Sequence, residues 1–225
     1  MRGVVRAARG NLDNRESARA AREVVEALAE LGLDEAPLDR VLDLACADVR
    51  PYSRECMRRA RHYYGLDLLV GDLAQAAAAA ELSPGALLLV GNGEHLPFRA
   101  SSLDMVVMNC ALAYCDKERI LSQVRRVLRP GGYLLCLRNN TLLTSLYRMK
   151  NPQKGWLMEW AHSLAVILNT AVYFTTGRRP FRTTFSTLRE LVRRVESNDL
   201  ELVRAWTGYA CEGFPQHNVI ARRAL

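Results

Sequence analysis

Four polar residues stand in or just after short apolar runs of this 225-residue chain: Asp43, Asp67, Asn92 and Asn109. Carboxylates accept hydrogen bonds from hydroxyls and ammonium groups, and amides both donate and accept, so such a set can bind a polar ligand once the backbone gathers it. His162 has the one side chain whose ordinary pKa suits a general base near neutrality, and Tyr114 follows the fourth apolar run closely. Each has a plainer alternative. Asp67 can cap the next helix, Asn92-Gly93 is a turn pair, His162 can be a solvated surface residue and Tyr114 can belong to the core. The six cysteines (Cys46, Cys56, Cys110, Cys115, Cys136 and Cys211) form no C-x-x-C pair and no knuckle spacing. That predicts reduced, mostly buried thiols and no metal site.

The elements that must position these residues are readable from periodicity. Ala18, Ala21, Val25, Leu28 and Leu31 recur at three- and four-residue steps, which predicts an amphipathic helix over about 14–32 ended by Gly32. Arg40–Leu44, Tyr63–Leu68, Leu87–Val90, Leu103–Met108 and Tyr133–Leu137 read as strands, and their uniform apolarity predicts burial in a parallel sheet. Between them lie a polar helix from Pro51 to about Ala60, an Ala-rich helix through Gln75 to Glu81, a helix over Lys117–Leu128 and a turn at Arg129-Pro-Gly-Gly132. Alternation at βαβ intervals implies a Rossmann-like, doubly wound α/β domain with a mainly parallel, seven-stranded sheet and helices on both faces. In such sheets ligands sit beyond the carboxyl ends of the strands, so Asp43, Asp67, Asn92 and Asn109 are expected to converge on one crevice.

After the fifth strand the alternation stops. Residues of about 138–182 form a helical insertion holding an apolar helix, Trp156 to about Tyr173. Glu159, His162, Val166, Asn169 and Tyr173 share one of its faces, while Leu157, Trp160, Leu164, Ile167 and Ala171 share another. One face is expected to pack on the domain and the other to roof a substrate pocket. A helix over Thr184–Glu196 and strands at Leu200–Trp206 and Asn218–Arg222 complete the pattern.

Length and a hydrophobic content of 49% predict one domain over residues 1–225 that needs no staples. Met1–Arg22 lacks the apolar stretch of a signal peptide, so the expected location is cytoplasmic. Leu157–Phe174 carries Glu159, His162, Asn169 and Thr170, which argues against a transmembrane segment and leaves contact with a membrane surface open. The net charge of +7 invites a nucleic-acid partner. Yet Lys117, Lys150 and Lys154 are the only lysines, and arginines stand beside acids at helical spacing, as in Arg19/Glu23 and Arg22/Glu26. Solvated helix faces account for them, and nucleic acid is not the expected partner. The oligomeric state is not written in the sequence.

Five segments in order carry a resemblance: Val41-Leu-Asp-Leu-Ala-Cys-Ala-Asp-Val49, Tyr64-Gly-Leu-Asp67, Gly91-Asn-Gly-Glu-His-Leu-Pro-Phe98, Ser102-Leu-Asp-Met-Val-Val107 and Val127-Leu-Arg-Pro-Gly-Gly-Tyr-Leu134. Together they resemble the class I S-adenosylmethionine (SAM)-dependent methyltransferases of the small-molecule type. The resemblance implies SAM as cofactor, S-adenosylhomocysteine as product and a small-molecule acceptor as partner. It implies a cofactor site lined by Asp43, Ala45, Ala47, Asp67, Leu68, Asn92, Gly93 and Asn109, in which Asp67 holds the ribose hydroxyls and Asn92 reads adenine. Phe98 packs near the adenine or in the core. Tyr114 falls where the family often places residues near the methyl group, and His162 is the candidate base.

Ala45, Ala47 and Val49 stand where that family usually has glycine. A β-branched residue at positive φ is costly, and added Cβ atoms would crowd the methionine moiety. The loop therefore takes another path, binds the cofactor weakly, or serves another purpose. Asn109-Cys-Ala-Leu112 is not the Asn-Pro-Pro-Tyr signature of nucleobase amino-methylation. Three functions follow for testing: methyl transfer to a small, largely apolar acceptor; a non-catalytic or repurposed binding protein of the same fold; and an RNA methyltransferase.

Overall fold

The structure is a computed structural model that describes residues 14–33, 38–49, 51–79, 82–150, 155–178, 180, 183–209 and 213–225. Helix α1 (Asn14–Glu30) buries Ala20, Val24, Ala27 and Leu28, and Gly32 at φ 65° turns the chain out of it. Then come β1 (Leu38–Leu44), α2 (Pro51–Arg59), β2 (Ala60–Asp67), α3 (Val70–Ala79), β3 (Ala86–Val90) and β4 (Leu103–Asn109). A 3-10 turn (Leu112–Tyr114) leads to α4 (Lys117–Val127) and β5 (Leu128–Asn140). The remainder is α5 (Leu142–Lys150), α6 (Trp156–Thr176), α7 (Leu188–Ser197), β6 (Leu200–Tyr209) and β7 (Pro215–Arg223). Cys211 and Glu81 lie outside the described residues.

The seven strands form one sheet in the order β3-β2-β1-β4-β5-β7-β6. Neighbours among β1 to β5 are parallel, and β7 runs antiparallel to both β5 and β6. The order reverses between β1 and β4, which is the switch point where a doubly wound sheet opens a crevice. Side chains alternate across β1: Leu42 and Leu44 join the core layer with α4 and α7, and Val41 joins the layer with α1 and α2.

Three expectations are corrected. Strand β3 is an edge strand rather than a buried one, with Leu87 and Val90 more than half exposed. The insertion contains a second helix, α5, ahead of α6. The Arg129-Pro-Gly-Gly132 turn lies within β5, next to a register shift opposite Leu103 and Met105.

The insertion is fastened by its polar face. On α6, Asn169 Nδ2 donates to the Thr183 carbonyl at 2.7 Å, and Thr170 Oγ1 accepts the Phe185 N–H at 3.1 Å. The Thr184 N–H donates in turn to the Ala113 carbonyl at 2.9 Å, beside the end of β4. Beneath this seam Lys117 is fully buried, donating to the Phe185 carbonyl at 3.0 Å and facing Glu190 of α7 at 3.4 Å. Glu190 also pairs with Arg194, and the Lys117 ammonium lies 5.3 Å from the Tyr173 ring centre. Removing one member of a buried charged cluster leaves the others uncompensated. Lys117→Ala is therefore expected to lower stability by about 3 kcal/mol in urea unfolding, whereas losing the exposed Arg222–Glu201 pair in Arg222→Ala is expected to leave the midpoint unchanged.

Candidate active site

The chain leaves β1 through Ala45, Cys46 and Ala47, and Asp67 at the end of β2 holds that path. Its Oδ2 accepts the Ala47 N–H and its Oδ1 accepts the Leu69 N–H, both at 3.0 Å. The Ala45 N–H reaches the Leu66 carbonyl at 2.8 Å, and the Val49 N–H reaches Cys46 at 3.1 Å. Under these bonds Ala45, Ala47 and Val49 take φ values of 64°, 49° and 52°. The loop thus follows the left-handed path that glycines favour, although none of the three is glycine.

The expected crowding by Val49 is corrected by where its side chain goes. Val49 is 2% exposed and packs in the core beneath the loop with the layer that holds Tyr52, Cys56 and Tyr63. Burial of an isopropyl group offsets the conformational cost, and the branched side chain stays off the upper side of the loop. Ala45 packs against the opposite core layer.

Asp43 does not converge with the others. It is fully buried on the Val41 side of β1, where the Tyr63 and Tyr52 hydroxyls donate to it at 2.8 and 3.4 Å. Burial pushes its carboxyl up to about 6, opposed by the nearby hydroxyls of Ser53, Tyr63 and Tyr52. The two tyrosines were not among the expected site residues; a hydroxyl in an otherwise apolar run, as at Tyr63, is the signal that a buried acceptor lies opposite.

Of the other strand-end residues, Asn92 is exposed and its Oδ1 accepts the Glu94 N–H at 3.0 Å, which is the turn geometry. Gly93 serves packing: a Cβ there would come within 2.9 Å of Leu44 Cδ1 and 3.0 Å of Ile120 Cδ1. Leu68 is half exposed beside Asp67. Asn109 ends β4 at the switch point, and its buried Oδ1 has no hydrogen-bond partner among the described residues. Phe98 meets Tyr64 edge to face at 5.2 Å against the core.

Tyr114 stands exposed at the end of the 3-10 turn beyond β4. His162 is exposed on the first half of α6, four residues ahead of the buried Val166. Partial burial and the Arg148 charge lower its pKa, opposed by Glu159. The second expected face, with Leu157, Trp160 and Leu164, is directed outward and does not roof the strand ends. Trp160 instead helps line an apolar groove of about 540 Å³ with Leu143, Leu146, Tyr147, Phe214 and Lys150. Strand β7 starts there, so the groove opens at the same sheet edge as the carboxyl end of β5.

The opposed terms at the loop give a test of sign. Ala47→Gly relieves left-handed backbone and is expected to stabilise the fold by about 1 kcal/mol. Val49→Gly also removes a buried side chain and is expected to destabilise by about 1–2 kcal/mol in the same unfolding assay. Equal effects of both substitutions would contradict the packing described for Val49.

Residues 42–136 match the family described as methyltransferase domain. The malonyl-[acyl-carrier protein] O-methyltransferase of Alcanivorax borkumensis is 33% identical over 101 residues, which cover 44% of this chain and 34% of that one. Phthiotriol/phenolphthiotriol dimycocerosates methyltransferase 1 of Mycobacterium ulcerans is 37% identical over 100 residues, covering 43% and 36%. The chain spans about a third of the length of these two curated relatives. A crystal structure of a SAM-dependent methyltransferase from Methanosarcina mazei has the same fold, with a TM-score of 0.59 at 21% identity, covering 84% of this chain and 94% of that one. Residues 42–136, with their switch point and aspartate-held loop, are thus similar to the methyltransferase domain family, and the chain shares the fold of SAM-dependent methyltransferases.

Proposed function

We propose that the chain transfers a methyl group from SAM to a small, largely apolar acceptor. The observation that carries this reading is the loop after β1: it keeps the left-handed path at 45, 47 and 49 while Val49 is folded beneath it. A site blocked by Val49 would need that side chain above the loop; its burial beneath the loop favours methyl transfer over the alternative of a non-catalytic or repurposed binding protein.

The residues present suit the cofactor. Asp67 stands at the end of the second strand, where a carboxylate suits the hydroxyls of a ribose. Exposed Leu68 can cover one side of an adenine, and the Asn92 amide nitrogen can donate to its edge. Asn109 Oδ1 is a buried acceptor that a ligand's ammonium group would satisfy, and Ala45, Ala47 and Gly93 keep the neighbouring backbone free of bulk. When bound, SAM supplies a methyl group already activated by its sulfonium, so the protein's task is placement and exclusion of water. We assign Tyr114 to the methyl end of the site and His162 to proton removal where the acceptor's nucleophile carries a proton. The acceptors in the relatives' names differ from one another, so the acceptor class rests on the apolar groove beside Trp160 and Phe214.

Isothermal titration with SAM and with S-adenosylhomocysteine tests the cofactor: saturable heat is expected, and none at high micromolar ligand overturns the reading. Asp67→Asn removes the charge from two ligand hydrogen bonds and is expected to weaken binding roughly 10- to 100-fold. His162 works as a base in its neutral form, so activity is expected to fall with acid through a midpoint below 6.5. His162→Gln is expected to abolish that limb and lower the rate at neutral pH by a factor on the order of 100.

A further inference from the structure

We propose that α6, together with the adjoining end of α5, docks this protein on an anionic lipid bilayer, lying in the plane of the surface with its leucine stripe inserted. Leu157, Trp160, Leu164, Leu168 and Val172 follow one another at steps of three and four, and all are exposed, at 67, 47, 42, 57 and 37%. At 1.5 Å per residue they form one straight apolar line roughly 22 Å long. Leu142, Leu143 and Leu146 of α5 extend it sideways, also exposed, and Trp156 stands at its start. Among the described residues nothing covers this face; the opposite face, with Ser163, Val166, Asn169, Thr170 and Tyr173, is the one buried against the domain. Contiguous apolar area of this extent marks a binding surface, not ordinary solvent contact.

Charge identifies the occupant. Residues 141–182 hold six cations (Arg148, Lys150, Lys154, Arg178, Arg179 and Arg182) against the single acid Glu159, so most of the chain's net +7 lies in this segment. Arg148 and Lys150 fall in the last turn of α5, next to the start of the stripe. Two copies brought together through this face would set like charges against each other, whereas an anionic membrane surface attracts them. A flat apolar line with tryptophan at one end and cations alongside is the pattern of a helix that lies at the boundary between headgroups and acyl chains. No described helix is long and apolar enough to cross a membrane, so the contact is peripheral.

Co-sedimentation of the full chain with vesicles tests this independently of methyl transfer, because the readout requires neither cofactor nor acceptor. Binding is expected to vesicles of phosphatidylcholine with about one third phosphatidylglycerol, at least tenfold tighter than to phosphatidylcholine alone, and weaker at high salt. The double variant Leu164→Glu/Leu168→Glu changes only exposed positions and is expected to lose vesicle binding with its circular dichroism and SAM affinity unchanged. Arg148→Glu/Lys150→Glu is expected to lower the preference for anionic vesicles about tenfold. In a Trp206→Phe background, the emission of Trp156 and Trp160 is expected to shift to the blue on vesicle addition. Absence of sedimentation with either vesicle, equal binding to both, or undiminished binding of the leucine variant overturns the proposal. So does a chain that instead dimerises, or pairs with an acidic protein, through Leu164 and Leu168 without binding vesicles.

Discussion

Two backbone N–H groups on one carboxylate set the geometry of the switch point. Asp67 reaches from the end of β2 to Ala47 in the loop of the neighbouring strand while also holding its own turn at Leu69. The loop it ties carries three non-glycine residues in left-handed conformation, each costing on the order of 1–2 kcal/mol. Such strain persists only where the surroundings over-determine it. Here they do so three times: through Asp67, through the Leu66 carbonyl that accepts Ala45, and through the core that takes the Val49 side chain. Loss of the carboxylate would release the backbone path at both Ala47 and Leu69, so the shapes of the two strand ends are one property of this site.

Polarity is distributed along the sheet in keeping with that role. Buried Asp43 and Asp67 lie at the carboxyl ends of β1 and β2, Arg138 and Asn139 at that of β5, and Gln216 and Asn218 at the start of antiparallel β7, which is the same edge. The strand interiors between are aliphatic. At the β5 end a bulge with Arg138 at φ 59° lets its N–H meet Asn218 Oδ1 at 2.7 Å and its guanidinium meet Gln216 at 3.1 Å. A buried polar group is stable only when paired, so this edge is kept polar at a desolvation cost that the opposite edge largely avoids. Asp104 is the counterexample near the other end, and it is matched by Arg129 and the Arg40 N–H.

The sheet was legible because strand alternation and βαβ spacing are properties of the sequence itself; what failed depended on facts outside any one segment. Leu87–Val90 reads as a buried strand on composition, and only the strand order makes it an edge. Asp43 was expected in the crevice from its place near the strand end, yet the period of two puts it on the Val41 face, under the loop and against Tyr63. The sequence implied a costly backbone at Val49 but held no information on where the side chain would go. Helix α5 escaped notice because Leu142-Leu143-Thr-Ser-Leu is too short for a clear period.

Helix α6 inverts the usual rule for a helix packed on a soluble domain. Its inner face is held partly by polar groups, Asn169 to the Thr183 carbonyl and Thr170 to the Phe185 N–H, above the Lys117–Glu190 pair. Its outer face is a line of leucines. Leaving a large aliphatic side chain in water instead of burying it forgoes about 1.5–3 kcal/mol, and five partly exposed positions in one line forgo part of that at each. The inner attachments fix orientation rather than supply burial: they tie α6 by its far half, and the half bearing Leu157, Trp160 and His162 is exposed. One helix thus presents a polar inner face to the domain and an apolar outer face to its surroundings.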